Sequence, residues 1–194
     1  MRYAEDYSGY GNEILYRMCR EKPRHKDIDT VKSKLWLIGR AYSAAIERKA
    51  GSQFKIDDAA NILINSEIDT HINRLLKINR IDDKNLELLL QAHKALTDSL
   101  KEATGIDKRS LASKYLHFHA PKAVFIYDSI ANSKIRLLLN PLQRRFKCNK
   151  KYDLPYEGFV RRCLHFRDFV YENQIGALAT PRKIDMYLIG MTTI

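Results

Sequence analysis

The chain has 194 residues, enough for one large domain with a substantial core. Its 34 lysines and arginines exceed its 23 aspartates and glutamates, and the net charge of +11 favours a polyanionic partner. No window approaches the roughly 18 uncharged apolar residues of a membrane span, and no apolar signal core follows Met1, so we expect a cytoplasmic protein without a membrane partner.

The first part of the chain predicts an arm followed by two helices. Residues 1–11 are rich in tyrosine and glycine and indicate an irregular arm, and a short helix is expected over 12–21. Asp29 or Thr30 is expected to cap the next helix. Its apolar positions repeat at intervals of four and three, which predicts one buried face. These positions are Val31, Leu35, Ile38, Tyr42 and Ala45.

Three further helices are predicted before the middle of the chain. A short helix over 57–65 precedes one that Ser66 is expected to cap. A longer helix opens near Asp82 and carries a leucine stripe that contains His93. Gly105 follows this helix at the position where a residue in the left-handed conformation ends many helices.

The middle of the chain alternates turn signals with apolar runs. Ser110 is expected to cap a helix that Pro121 ends, because proline lacks an N–H and restricts the residue before it. The apolar run 124–127 is too short to form a helix of its own. Asp128 or Ser129 is expected to cap the helix that follows.

The last part of the chain is basic and then helical. Segment 142–154 lacks helical periodicity and is expected to be a mobile basic loop. A long helix is predicted from 155 to about 174, and Thr180-Pro181 begins a terminal helix. No alternation of apolar and polar residues indicates a sheet. We therefore predict a single all-α domain over 1–194 with about eight helices.

The basic region supplies the main functional hypothesis. Residues 140–167 contain eight lysines and arginines against two carboxylates, which is +6 of the total +11. Such groups neutralise phosphates, and Phe146, Tyr152 and Tyr156 are candidates to stack on exposed bases of DNA or RNA. The alternative is a solvated loop on a basic protein. The candidate nucleic-acid-binding residues are Arg144, Arg145, Lys147, Lys150, Lys151, Arg161 and Arg162.

Segment 104–131 is similar to the core of the helix-hairpin-helix DNA glycosylases. Gly105-Ile106 resembles the hairpin of that family, Arg109-Ser110 the start of the helix after it, and 125–128 the apolar approach to a catalytic aspartate. The second hairpin glycine is replaced by Asp107, and no residue clearly supplies the nucleophilic lysine. The resemblance implies catalysis by Asp128 with Ser110 nearby. The alternative reading of Asp128 and Ser110 is that both are helix caps.

A second resemblance is to the all-helical proteins of bacterial mobile gene cassettes. The runs 112–119 and 126–129 resemble segments of those proteins. This resemblance implies a bacterial cytoplasmic protein that self-associates, and it implies no catalytic residues.

Other candidate sites are a pocket and a metal centre. Arg40, Tyr42 and His93 are pocket candidates; the alternatives, an Arg40–Glu47 surface ion pair and a core histidine, are the more ordinary explanations. The histidines lack the spacing of a metal site, so we expect no metal and no cofactor. The three cysteines are scattered and predict reduced thiols.

Overall fold

All regular structure in the computed structural model is helical over the residues that it describes, 2–139, 146–175 and 179–190. The predicted all-α class is confirmed for these residues. Within them, no helix combines the length and apolar content needed to cross a bilayer. The helices are α1 (Arg2–Glu21), α2 (Ile28–Ala41), α3 (Ile56–Ile64), α4 (Ile68–Leu76), α5 (Leu86–Thr104), α6 (Arg109–His119), α7 (Ser129–Leu139), α8 (Leu154–Phe166), α9 (Glu172–Ile175) and α10 (Pro181–Gly190), with a π-helical turn, Arg167–Tyr171, between α8 and α9.

Helix α6 lies at the centre of the fold. It packs against α1, α2, α4 and α5, and every residue from 111 to 120 is buried. Apolar and aromatic side chains surround most of this helix, as expected for a helix that is covered on all sides. The buried polar residues of α6 are therefore the ones that need specific partners.

The connections at both ends of α6 follow the sequence signals. Gly105 adopts a φ of 75°, the left-handed conformation predicted for the end of α5. Helix α6 ends at His119, two residues before Pro121. The apolar run Val124–Ile126 then crosses the core as a buried connector without helical structure.

Four predicted helix starts are wrong by one to three residues. Glu67 and Asn85 occupy the N-caps of α4 and α5, in place of Ser66 and Asp82. Lys108 occupies the N-cap of α6, so Ser110 lies inside the first turn and does not cap the helix. Asp27 caps α2 in place of Asp29 or Thr30, since its carboxylate accepts a hydrogen bond of 2.8 Å from the backbone N–H of Thr30. The prediction for α7 is confirmed: the Asp128 carboxylate accepts the backbone N–H of Ala131 at 2.7 Å.

The prediction of an irregular arm over 1–11 is wrong, because α1 begins at Arg2. A helix started in 12–21 extends at low cost, since each further residue adds a hydrogen bond after nucleation. Residues 140–145 of the predicted basic loop lie outside the described residues. The rest of that loop, 146–153, is non-helical as predicted. Its second half is anchored, because the backbone N–H of Asn149 donates to Glu157 and Tyr152 is buried.

Helices α7, α8 and α10 pack beside one another and join the helices around α6. The Tyr156 hydroxyl of α8 donates a 3.0 Å hydrogen bond to the carbonyl of Phe125 in the buried connector. Arg109 at the start of α6 pairs with Asp153 at 2.5 Å. One continuous hydrophobic core therefore extends from Leu15 in α1 to Leu188 in α10.

Candidate functional site

Some cations of the predicted basic region are paired within the fold, and others are exposed to solvent. Arg161 pairs with Glu157 at 2.8 Å, a carboxylate that is fully buried, and lies 4.0 Å from Asp83. Arg167 is buried, bonds to Asp168 and donates to the carbonyl of Ile81 at 2.7 Å. Arg161 and Arg167 therefore stabilise the fold, and we leave both out of the surface on which the functional proposal rests.

The lysines of the region remain in water. Lys147 and Lys150 are exposed, and neither forms an ion pair with a described carboxylate. Lys151 lies 3.9 Å from Glu87, but both side chains are largely exposed, so this pair contributes little. Arg144 and Arg145 lie outside the described residues.

Arg162 is half-buried and differs from its neighbour Arg161. It packs over Gly158 beside Cys148, and its Nη1 atom is buried without a hydrogen-bond partner among the described groups. Burial lowers the pKa of Arg162, and the nearby guanidinium of Arg136 on α7 lowers that pKa further. The positive charge of Arg136 therefore lies near enough to act on Arg162, and neither guanidinium forms an ion pair with a described carboxylate. We call Arg136, Lys147, Lys150 and Arg162 the cationic surface.

An aromatic row lies beside the cationic surface. The ring of Phe146 lies 6.1 Å from that of His165, which lies 4.7 Å from the ring of Phe169. Phe169 is 62% exposed, so its ring is accessible from solvent. The predicted stacking roles of Tyr152 and Tyr156 are wrong, because both are buried. We call Phe146, His165 and Phe169 the aromatic row.

A second group of polar residues surrounds Asp128. The Lys114 ammonium is buried and donates to the Ser110 hydroxyl oxygen at 2.9 Å and to the Tyr42 carbonyl at 3.0 Å. Burial lowers the pKa of Lys114, while the nearby carboxylates of Asp128 and Asp185 raise it. Of the two predicted catalytic residues, Ser110 thus contacts Lys114 directly, and the charge of Asp128 acts on the same lysine.

Asp185 on α10 belongs to this group and was not among the predicted site residues. Its side chain is 1% exposed; Oδ2 accepts from Arg182 at 2.6 Å, and Oδ1 has no hydrogen-bond partner among the described groups. Burial raises the pKa of Asp185 to about 6, and Asp128 adds to this shift against the opposing effect of Arg182. We call Asp128, Lys114, Asp185 and Ser110 the Asp128 cluster.

The sequence carried a signal for Asp185 that the prediction did not use. Asp185 lies on the face of the terminal helix that Ile184 and Leu188 bury. A carboxyl group on an apolar helix face is uncommon and marks a candidate functional residue.

The three pocket candidates lie in different surroundings. Arg40 pairs with Glu47, and 56% of its side chain is exposed. His93 is buried and stacks on Tyr156 at 3.6 Å, while its Nε2–H donates to the carbonyl of Arg109 at 3.2 Å. Burial lowers the pKa of His93 to about 4, so it is a neutral core residue at pH 7. The predicted pocket of Arg40, Tyr42 and His93 is therefore not formed.

Tyr42, by contrast, lies next to the Asp128 cluster. Its hydroxyl donates to Asn12 at 2.5 Å, and the Lys114 ammonium lies 5.9 Å from its ring centroid.

Among the described residues, no three histidine, cysteine or acidic side chains are arranged to hold a metal ion.

Comparisons with protein-family models, with curated proteins and with solved structures found no match. The two family resemblances, and the self-association that one of them implies, therefore stay predictions. The geometry of the cationic surface and of the Asp128 cluster is the basis for a functional assignment.

Proposed function

We propose that this protein binds nucleic acid through the cationic surface. The observation that carries this proposal is the half-buried Arg162, whose Nη1 atom has no partner among the described groups and whose pKa is lowered by burial and by the charge of Arg136. Bringing two guanidinium groups together without a counter-charge costs free energy, and a phosphate group removes that cost by pairing with both. Exposed Lys147 and Lys150 extend the positive charge from Arg136 and Arg162.

The aromatic row favours a single-stranded segment of the nucleic acid. Bases that are not stacked in a duplex gain about 1–3 kcal/mol each by stacking on an aromatic side chain. Phe169 offers an exposed ring within stacking distance of His165, close to the chain segment that carries Lys147. Phosphates on the cations and bases on the rings are the combination that single-strand binding uses.

The first test compares two double variants with the same loss of charge. Lys147→Ala with Lys150→Ala removes two cations from the cationic surface. Binding of a fluorescent 20-nucleotide single strand, as DNA and as RNA, is measured by anisotropy at 0.1 M salt. Two lost phosphate contacts should weaken binding by about 10- to 25-fold, since each contact adds about 0.7 to the base-10 logarithm of the binding constant at this salt concentration.

The control replaces Lys55 and Lys77, which are exposed and lie at the N-cap of α3 and the C-cap of α4. This control should bind within about twofold of the original protein, because total charge alone contributes little to a local contact. Equal weakening by both double variants, or no binding to either strand at low salt, rules the proposal out.

A second function, acid–base catalysis of glycosylase type, is favoured by the Asp128 cluster. The unpartnered Oδ1 of Asp185 and its pKa of about 6 provide a carboxyl group that exchanges a proton near neutral pH. Asp128 and Lys114 lie close enough to affect that pKa. In this function Asp128 stabilises positive charge on the sugar of an extruded nucleotide.

Asp128→Asn tests the second function without removing the cap of α7, because asparagine caps helices as well as aspartate does. We expect the original protein to release a base from at least one damaged DNA substrate, and the variant to lose at least 100-fold in rate while melting at the same temperature. Base release by both proteins at equal rates, or by neither with any lesion, eliminates this function.

A further inference from the structure

A large cavity lies on the opposite end of α6 from Ser110. Its volume is about 810 Å³, within the range of small-molecule pockets. Helix α1 forms one wall with Tyr16 and Cys19, and Phe118 and His119 of α6 form another. Leu76 at the end of α4 closes a third side. None of these residues belongs to the cationic surface or to the Asp128 cluster.

The walls are mainly apolar and aromatic. The rings of Tyr16 and Phe118 lie 4.7 Å apart and are tilted by 52°, so they pack on each other. Phe118 is almost fully buried, whereas Tyr16 is partly exposed and offers ring surface to an aromatic ligand. Leu76 is 53% exposed, although it is a large aliphatic residue at the cavity. An apolar ligand in this cavity would bury these surfaces, which contributes about 25 cal/mol for each Å² removed from water.

The hydroxyl group of Tyr16 is already used within the protein. The Nδ1 atom of His117 lies 2.7 Å from the carbonyl of Val124 and must donate to it, which makes Nε2 the acceptor. Tyr16 therefore donates its proton to Nε2 over 2.7 Å. Burial lowers the pKa of His117 to about 4, so this arrangement persists at neutral pH.

His119 is the polar wall residue that the fold leaves incomplete. It is only 6% exposed, and its Nε2 atom has no hydrogen-bond partner among the described groups. A buried polar atom without a partner costs about 1–3 kcal/mol. His119 lines the cavity, so a ligand bound there can supply the partner that the imidazole lacks.

The surroundings of His119 restrict the chemistry of that molecule. Burial holds the pKa of His119 well below its usual value, and the Lys34 ammonium and His25 lower it further. The imidazole is therefore neutral, and a second cation beside Lys34 is unfavourable. A hydroxyl group both donates and accepts, so it can bond to either tautomer of a neutral imidazole.

We propose that this cavity binds an aromatic alcohol, with its ring packed against Tyr16 and Leu76 and its hydroxyl group hydrogen-bonded to His119. The proposal is independent of nucleic-acid binding, because it uses other residues on other elements.

The ligand-side test uses 2-naphthol and naphthalene, which differ only by the hydroxyl group. Titration calorimetry at pH 7 should show saturable one-to-one binding of 2-naphthol, with naphthalene about three- to tenfold weaker, the value of one net hydrogen bond. Naphthalene is the more apolar molecule, so without the hydrogen bond it would bind at least as tightly. No saturable binding of 2-naphthol overturns the proposal, and an equal or higher affinity for naphthalene overturns the role of His119.

The protein-side test fills the cavity through a glycine. Gly9 lines the cavity, and a Cβ atom added to it meets nothing within 4 Å; the same holds for Gly11, which is exposed and outside the lining. Gly9→Leu should weaken 2-naphthol binding at least tenfold, and Gly11→Leu, the matched control on the same helix, should change it less than twofold. Equal effects of the two substitutions overturn the proposed location.

A third variant tests the hydrogen bond from the protein side. His119→Phe should remove the preference for 2-naphthol over naphthalene while retaining the affinity for naphthalene. A preference that persists in this variant overturns the role of His119. If the variant does not fold, the Gly9 and Gly11 comparison still decides whether the cavity is the site.

Discussion

Asp185 carries a carboxyl group that the fold removes from water, so its protonation is coupled to folding. The pKa of about 6 in the folded chain exceeds the ordinary value of 3.8. The folded chain therefore binds this proton more tightly than the unfolded chain between those pH values. By linkage, the contribution of Asp185 to stability falls as the pH rises from about 4 to about 6, by on the order of 3 kcal/mol.

Asp185→Asn removes this dependence, because an amide does not titrate. The free energy of unfolding of the variant, relative to that of the original protein, should therefore rise by on the order of 3 kcal/mol between pH 4 and pH 6.5. Urea unfolding at both pH values measures the change. Asp58→Asn, at an exposed position, should show little change. A difference between Asp185→Asn and the original protein that stays constant with pH contradicts the assignment.

At the scale of single residues, the sequence predicted what depends on local neighbours. Asp128 as a cap, Gly105 in a left-handed conformation and His93 in the core follow from residues within one or two turns. The pairing of Lys114 with Ser110 is also local, at a spacing of four residues. The approach of Asp185 to Asp128 joins α10 to the start of α7, and no local pattern contains that contact.

The turn between α5 and α6 places the central helix, and Gly105 is its critical residue. A side chain at a φ of 75° is strained, and a Cβ atom there meets nothing within 4 Å, so only the backbone conformation opposes substitution. Gly105→Ala should lower the free energy of unfolding by about 1 kcal/mol, measured by urea denaturation.

Gly51→Ala is the matched control for this prediction. Gly51 is also exposed with nothing within 4 Å of an added Cβ atom, but no positive φ occurs there. This substitution should leave stability unchanged or raise it slightly. Equal destabilisation by both substitutions would show that the left-handed turn does not determine the effect.

Apolar periodicity predicted which segments form helices better than it predicted where those helices begin and end. The apolar repeat of α2 and the leucine stripe of α5 identified both helices. Several residues near each start are able to cap, so Asp27 and Lys108 occupy positions that other residues were expected to fill. Helix α1 extends to Arg2 through a tyrosine- and glycine-rich stretch, where composition indicated an arm.

For the whole molecule, the decisive property is how the positive charge is distributed. Net charge and the cluster over 140–167 are visible in the sequence. The sequence does not show which cations stay unpaired, because the pairing depends on contacts in three dimensions. Arg161 bonds to the buried carboxylate of Glu157, and Arg167 bonds to the carbonyl of Ile81. The fold uses Arg161 and Arg167 internally, whereas Arg136 and Arg162 form no ion pair with any carboxylate that the structure describes.

The most direct measurement of the central claim is the salt dependence of single-strand binding. For each phosphate neutralised, the logarithm of the binding constant should fall with a slope of about −0.7 against the logarithm of the salt concentration. We predict that the Lys147→Ala, Lys150→Ala protein binds with a slope about 1.4 shallower than the original protein, and that the Lys55→Ala, Lys77→Ala protein keeps the original slope. Identical slopes for the original protein and the Lys147→Ala, Lys150→Ala protein would contradict the claim that the cationic surface contacts phosphates.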